Sequence, residues 1–391
     1  MTNKKVEQLI EEGVLYAPMD GNHGEKHPKT SDYVEKGVPF ILVPDLVDGI
    51  VDLDNCNYIS EEQAKTLRKG FSKTGDVLFT HKATIGKVAL VDTQEYEYII
   101  LTPQVTYYRI KDNEVLCNEY LYYYFQSHTF QETFRLFASS GGTRDYLGIV
   151  AQQKLPIIFP EIKVQKDIVA VLKNYDNLIH NNNKRIKILE QMAENLYKEW
   201  FVRFRFPGHE NAEFENGIPK GWEVCKVKTM VDRLPFGKLY KADDVQPDGK
   251  VIVIDQSTDE YVGFHSDEPS HIASIDNPIA LFGDHSCKYQ LMITPFSLSE
   301  NVIPYRATEN NRLIWLYFVL YGIVETTEYK RHWSEFTAKK ILKAPIELQM
   351  SFEKKCIPIL KLIQSLKVMN RNLKKQRDKL LPRLMSGKLE I

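Results

Sequence analysis

From Ile168 to Trp200 the apolar residues advance by fours and threes without interruption: Ile168, Leu172, Tyr175, Ile179, Asn182, Ile186, Leu189, Ala193, Leu196 and Trp200. That period keeps one helix face apolar over several heptads, so the segment predicts a long helix that must bury its stripe against another. A second seam near the C-terminus supplies the partner: Phe352, Cys356, Ile359, Ile363, Leu366, Asn370, Leu373, Arg377, Leu380 and Leu384. At about 1.5 Å per residue, helices of this length span roughly 50 Å. Arg377 is expected to reach solvent from the edge of the seam. Pro358 removes an intrahelical hydrogen bond, so the second helix is expected to kink near its start or to begin later than Ser351; Pro382 has the same effect near the end.

Each seam carries one Asn. Heptad assignment places Asn182 at a d position and Asn370 at an a position, which share a layer when two helices run antiparallel. A parallel pair in register would leave each amide facing an apolar residue, a costly arrangement when buried. The antiparallel register also sets Trp200 near Phe352, Leu189 near Ile363 and Leu172 near Leu380.

Around the helices the chain follows one plan twice. KLPIIFP (154–160) and KAPIELQ (343–349) each lead into a helix. Upstream, LTPQVTYYR (101–109) matches LSENVIPYR (298–306), DVLFTHKATIGKVALV (76–91) matches PIALFGDHSCKYQLM (278–292), and GVPFILVPDLVDG (37–49) matches GKVIVIDQSTDEYVG (249–263). The runs VPFILV, DVLFT, KVALV, TYYRI, VIVI, IALF and YQLMI read as strands bounded by turn residues. EYLYYYFQSHTFQETF (119–134) and RLIWLYFVLYGIVE (312–325) read as core helices. The fold class is α+β: two similar globular α/β domains separated by two long helices packed as an antiparallel coiled coil. Expected boundaries are 1–160 for the first domain, 161–206 for the central helix and linker, 207–350 for the second domain and 351–391 for the C-terminal helix. Within ENLYKEWFVRFRFPG (194–208), Leu196 and Trp200 close the first seam and Pro207-Gly208 releases the chain into the second domain. FVRFRF is expected to dock on the end of the helix pair or on a partner.

Composition narrows the function. The chain has 391 residues, 43% hydrophobic, enough for sizeable cores. No apolar run is long enough to span a bilayer and the N-terminus has no signal core, so a cytoplasmic protein without membrane association is expected. The five cysteines, Cys56, Cys117, Cys225, Cys287 and Cys356, are scattered, with no spacing that suggests disulfides or a metal site. Fifty-one basic residues nearly cancel fifty-two acidic ones. A nucleic-acid surface must therefore be local, built from patches such as Lys184-Arg185-Lys187 or Arg371 to Arg377.

Catalytic fingerprints are missing. SSGGTRDYLG (139–148) lacks the phosphate-loop order, and there is no GxGxxG, GxSxG or HExxH. Asp52 with Asp54, and Asp243 with Asp244, read as solvated turn residues. His81 and His285 fall at matching places in the two halves, beside Lys82 and Lys288. Two diverged domains on a helical spacer without catalytic machinery read as a two-headed recognition device. Duplex DNA is the linear ligand that such a device suits, with polar loops supplying phosphate contacts and base-edge readers. A coiled-coil scaffold that assembles protein partners and touches no DNA is the competing reading; it explains the helices but not two diverged heads.

Several stretches resemble the recurrent motifs of the specificity subunit of type I restriction–modification systems. In the first half these are DGNHGEKHPKTSDYVEKGVPF (20–40), DNCNYISEEQAKTLRKGFSKTGDVLFTHKATIGKVALV (54–91), LTPQVTYYR and SGGTRDYLGIVAQQKLPI (140–157). In the second they are GIPKGWEV (217–224), NPIALFGDHS (277–286) and KAPI, and the helix ends are ENLYKEWFVRFRFPG and RDKLLPRLMSGKLEI. The resemblance implies that each domain is a target recognition domain reading one part of a bipartite, asymmetric double-stranded DNA sequence. It further implies that the helices dock two modification (methyltransferase) subunits and that restriction subunits join the complex. This chain would hold no cofactor or metal and catalyse nothing. S-adenosylmethionine, and ATP with Mg2+, would belong to partner subunits.

Chemistry and motif position assign DNA contacts to Asn22, His23, Lys26, His81, Lys82, Thr84, Thr143 and Arg144 in the first domain. In the second they assign Lys238, Tyr240, Lys241, His285, Lys288 and Tyr289.

The shared Asn layer is testable by a double-mutant cycle. Asn182→Leu should destabilise the protein by leaving Asn370 unpaired, and adding Asn370→Leu should restore stability. A coupling energy of about 1 kcal/mol or more in denaturant unfolding supports the antiparallel register, and additive effects contradict it.

Overall fold

A computed structural model of the chain describes residues 1–138, 146–326, 328 and 330–389. The chain divides into two compact units, Met1–His180 with Asn370–Ile391, and Asn181–Met369.

In the first unit, a six-stranded sheet runs β2 (Met19–Asp20), β12 (Val105–Tyr108), β9 (Val77–Thr80), β10 (Val88–Leu90), β6 (Ile50–Val51), β5 (Leu46–Val47). A five-stranded sheet runs β3 (Tyr33–Val34), β7 (Asn57–Ile59), β4 (Val38–Ile41), β11 (Ile99–Leu101), β8 (Phe71–Ser72), in which β4 and β11 are parallel. The central strands β4, β9, β11 and β12 are buried along their whole length. This explains why their sequences read as continuous apolar runs rather than as alternation. β1 (Thr2–Lys5) pairs antiparallel with β13 (Pro156–Phe159). Between them lie α1 (Val6–Glu11), α2 (Glu61–Thr66), α3 (Asn118–Gln126), α4 (His128–Ala138) and α5 (Ile149–Gln152). The tyrosines and phenylalanine of α3, with Phe130 and Phe134 of α4, are core: Phe79 meets Phe134 edge-on at 4.4 Å, and Phe125 stacks on Phe130 at 4.3 Å.

The second unit repeats the plan with fewer strands. Its four-stranded sheet runs β17 (Val231–Arg233), β23 (Val302–Ala307), β20 (Ile279–Gly283), β21 (Tyr289–Met292). This matches β2-β12-β9-β10 strand for strand. The three-stranded sheet β19 (Gly263–His265), β18 (Val251–Ile254), β22 (Phe296–Leu298) matches β7-β4-β11, again with its second and third strands parallel. β14 (Phe214–Glu215) and β15 (Ile218–Pro219) form a hairpin after the linker, and β16 (Glu223–Lys226) pairs with β24 (Lys340–Lys343) as β1 does with β13. α7 (Leu313–Leu320) corresponds to α3, and α8 (Trp333–Ala338) closes the sheet.

The strand equivalence corrects one alignment. Because β13 matches β24, KLPIIFP (154–160) corresponds to AKKILKA (338–344) rather than to KAPIELQ. In each half a proline, Pro160 or Pro345, stands just before the long helix.

Those helices are α6 (Ile162–Tyr197) and α9 (Ile346–Met385). In the first unit Leu172 lies in one core with Leu381 and Leu384, and Leu380 packs against it. In the second, Ile186 clusters with Ile363 and Leu366, flanked by Leu189, and Trp200 meets Phe352 at 6.0 Å. Within each unit, higher positions on α6 meet lower ones on α9, as antiparallel packing requires. Ile179 is buried with the seam, Leu196 packs on the second core, and Leu373 is half-buried. Asn182 and Asn370 are 5% and 7% exposed, so both amides sit on the buried face of their helix.

Two expectations for α9 are corrected. Pro358 does not delay the helix, which begins at Ile346 and continues through Pro358 and Pro382. Pro358 is exposed, as is Lys354 one turn earlier, so the carbonyl that loses its N–H partner can be hydrated. Arg377 does not extend to solvent: its guanidinium reaches Asp176 at 2.7 Å, and the same carboxylate accepts the Tyr123 hydroxyl at 2.6 Å. Burial disfavours the charge, but Asp176 outweighs it and holds the Arg377 pKa above its ordinary value.

α6 ends in a π-helical turn, Lys198–Val202, which lets consecutive residues Trp200 and Phe201 both turn inward. Phe201 packs on Phe352 at 5.2 Å and Phe204 meets Trp222 edge-on at 5.3 Å. Arg203 and Arg205 pair with Glu199. The aromatic tail thus docks on the core of the second unit.

A buried glutamine joins each long helix to its domain. Gln165 accepts the Cys117 N–H at 2.9 Å, at the start of α3, and donates to the carbonyls of Val115 and Pro160. Gln349 accepts the Arg312 N–H at 2.9 Å, at the start of α7, and donates to the Ala344 carbonyl. Gln165→Ala or Gln349→Ala leaves buried backbone groups unpaired. Each should cost about 2–3 kcal/mol, read as a lowered unfolding midpoint; a cost near zero would show that the glutamine does not join helix to domain.

Candidate nucleic-acid interface

In the first unit the candidate residues gather where β2 and β9 end. Asp20, 5% exposed, is paired with Lys69 and lies 2.8 Å from the Nε2 of His23. Burial opposes its ionisation, but the Lys69 and His23 contacts outweigh it and hold the carboxyl below its ordinary value. Asn22 is buried, donating to the Lys69 carbonyl at 2.6 Å and accepting the Arg68 N–H at 3.0 Å. Gly21 is required here because a Cβ would stand 1.8 Å from the Leu101 carbonyl oxygen. Lys26 is exposed and donates to the Thr66 carbonyl.

His81 is 1% exposed, with Nδ1 3.0 Å from the Leu147 carbonyl. Its buried Nε2 has no hydrogen-bond partner among the described residues, and burial holds the imidazole pKa below its ordinary value. Lys82 and Thr84 are exposed in the β9–β10 loop. Lys82 bridges to Tyr146, lying 6.0 Å over its ring, and Tyr146 also contacts the His81 ring. Below, the fully buried Gln152 ties the Leu147 carbonyl to Thr106 and Tyr108. Thr143 and Arg144 lie outside the described residues.

The second unit uses different side chains. Tyr240 is buried, stacked on His265 at 4.0 Å, with its hydroxyl 3.1 Å from Asp267. Lys238 lies over the Tyr240 ring at 4.7 Å and pairs with Asp267 at 2.7 Å. Lys241 is exposed and His285 half-buried. Lys288 turns inward to the carbonyls of Asp255 and Asp259, and burial lowers its pKa. Tyr289 packs on Phe282 and Phe336 at 5.5 Å each. Lys288 and Tyr289 thus brace the hairpin from within, whereas Lys238 and Lys241 face out.

The ladders correct the pairing of His81 with His285. Thr80 stands opposite Val105, and Gly283 opposite Val302. The next N–H groups, of His81 and Asp284, donate to Gln104 and Asn301. The carbonyls of His81 and Asp284 accept N–H groups from Leu147 and His332. His81 therefore corresponds to Asp284, and Tyr146 to Arg331. His285 stands one residue further past its strand end than His81 does, so the two histidines are not equivalent.

Around Asp284 the second unit has a cavity of about 480 Å3 lined by Arg233, Phe236, Asp284, Asn301, Arg331 and Trp333, among others. Arg331 and Trp333, in the basic and aromatic run KRHW (330–333) that leads into α8, are the sequence signal for it.

Acidification should expose the buried imidazole. Because the folded pKa of His81 lies below the unfolded value of 6.5, stability falls as pH drops through that value. Asp20 acts only below its unfolded value of 3.8, where protonation removes its ion pairs. His81→Gln should flatten the fall of the unfolding midpoint of the first unit between pH 7 and 5, by at most about 1.4 kcal/mol per pH unit. An unchanged slope would contradict a neutral buried His81.

Residues 21–191 match the family described as the type I restriction modification DNA specificity domain. The type I restriction enzyme MjaIX specificity subunit of Methanocaldococcus jannaschii is 27% identical, aligned over 93% of this chain and 89% of its own length. The putative type I restriction enzyme MjaX specificity subunit of the same organism is 22% identical over 91% and 88%. Among solved structures, the S subunit of a type I restriction–modification system from M. genitalium shares the fold, with a TM-score of 0.53 over 98% of this chain and 95% of that one at 14% identity. Over most of its length the chain is thus similar to type I restriction–modification specificity subunits, and its residues 21–191 match their DNA specificity domain.

Proposed function

We propose that this chain is the sequence-reading subunit of a type I restriction–modification complex, with one recognition domain in 1–160 and the other in 207–350. Each reads one part of a bipartite, asymmetric duplex DNA target. The observation that carries this reading is the duplication itself: the two units repeat one strand order, while the residues at equivalent loop positions differ, as with His81 and Asp284 or Tyr146 and Arg331. A conserved frame with unlike reading surfaces suits two different half-sites.

The helices α6 and α9 serve as the docking surface for two methyltransferase subunits. Exposed apolar residues along them, Leu178, Ile188, Met192, Leu362 and Met369, support a protein partner there. S-adenosylmethionine enters with those subunits, and ATP with Mg2+ enters with the restriction subunits. The chain catalyses nothing itself and acts on cytoplasmic DNA. No helix among the described residues is long and apolar enough to cross a membrane. Exposed Lys26, Lys82, Lys238 and Lys241 supply phosphate contacts, while buried Asn22, His81 and Tyr240 hold the loops that present them.

Co-expression with the methyltransferase subunits, followed by sequencing of modified bases, should give one bipartite motif that disappears when this chain is deleted. An unchanged set of modified sites after deletion would contradict the reading. The purified chain with S-adenosylmethionine and DNA should transfer no methyl group.

A further inference from the structure

The cavity beside Asp284 presents two guanidinium groups in unlike settings. The Arg331 side chain is 77% exposed, and its Nε faces the Asp284 carboxylate at 3.8 Å. Asp284 is itself locked in place: its Oδ1 accepts the N–H groups of His332 at 3.1 Å and Trp333 at 2.9 Å. Among the described residues no hydrogen bond engages the terminal nitrogens of Arg331. Arg233, also exposed, lies over the Phe236 ring at 4.8 Å. Both forks are backed from behind and open in front, which reduces the entropy lost when a ligand is bound.

We propose that Arg331, with Arg233 across the same cavity, is a specificity-determining residue that reads a guanine edge in the half-site of the second head. The assignment rests on the reading of that head as a DNA-recognition domain. Guanine offers O6 and N7 as paired acceptors in the major groove, and a guanidinium fork matches them with two parallel hydrogen bonds. A phosphate suits this cavity less well, because Asp284 and Glu300 line it and repel an anion. A G·C pair suits it better, since the cytosine amino group offers a donor that a neighbouring carboxylate accepts.

In the first head the equivalent position is Tyr146, 52% exposed beside His81 and Lys82. A phenol there offers no fork, so the two heads differ in chemistry at one matched point of their reading surfaces. Asp284 is a positioning residue that fixes the angle of Arg331.

The test is modified-base sequencing in cells carrying the methyltransferase subunits with wild-type chain, Arg331→Ala, Arg331→Lys or Arg331→Gln. Wild-type chain should yield a bipartite motif with a guanine in the second half-site. Arg331→Ala and Arg331→Gln should relax discrimination at that one position by about tenfold or more, leaving the first half-site intact. Arg331→Lys should restore it only in part, because an ammonium lacks the fork. An intact motif in all three variants overturns the inference, as does a uniform drop in methylation with no position relaxed, which marks a phosphate contact. Complete loss in all three with unchanged melting also overturns it, since it shows a role other than reading one base. Absence of any bipartite motif with wild-type chain is a different failure, that of the DNA-recognition reading itself.

Discussion

Each globular domain depends on a single buried amide in the first turn of a long helix. Gln165 and Gln349 are both fully buried, and each accepts the N–H that opens the aromatic core helix of its own domain. Their other ends hold carbonyls around the proline turn that feeds the helix. A buried amide with its hydrogen bonds made is directional where apolar packing is not, so it sets the angle at which the helix leaves the domain. The apolar cores then fill around that angle, with Leu172 against Leu381 and Leu384 in one unit and Trp200 against Phe352 in the other.

From this frame the matched loop surfaces follow. The strand ends of β9 and β20 are held by the same pair of backbone hydrogen bonds in both units, so the residues that follow are presented alike. What they present differs. The first unit places a buried imidazole and a half-exposed phenol there, and the second a carboxylate and a guanidinium. The backbone can be kept while Tyr146 and Arg331 differ, because both side chains are largely exposed.

The helical seams and the order of the repeat were legible because both are periodic signals extended over many residues. Seam contacts such as Trp200 with Phe352 and Ile363 beside Leu189 follow from counting heptads alone. The loops were less legible. His81 and His285 look equivalent as text, but His285 lies one residue further past its strand end, and only the ladder register shows that Asp284 takes the place of His81. Lys288 and Tyr289 read as polar loop residues yet turn inward, Lys288 to two carbonyls and Tyr289 to an aromatic cluster. Arg233 and Arg331 carry no pattern in the sequence, because they lie far apart in the chain and meet only at the cavity. Pro358 does not delay the start of α9, because it and Lys354 one turn earlier both face solvent.

The central claim is that the two domains read independent halves of one DNA target. It is tested most directly by replacing the second domain, residues 207–345, with that of another specificity subunit, keeping α6 and α9. The modified bases are then sequenced in the presence of the methyltransferase subunits. The account predicts a new motif in which only one half changes while the other half and the spacing persist. A motif altered in both halves, or unaltered in either, would contradict it.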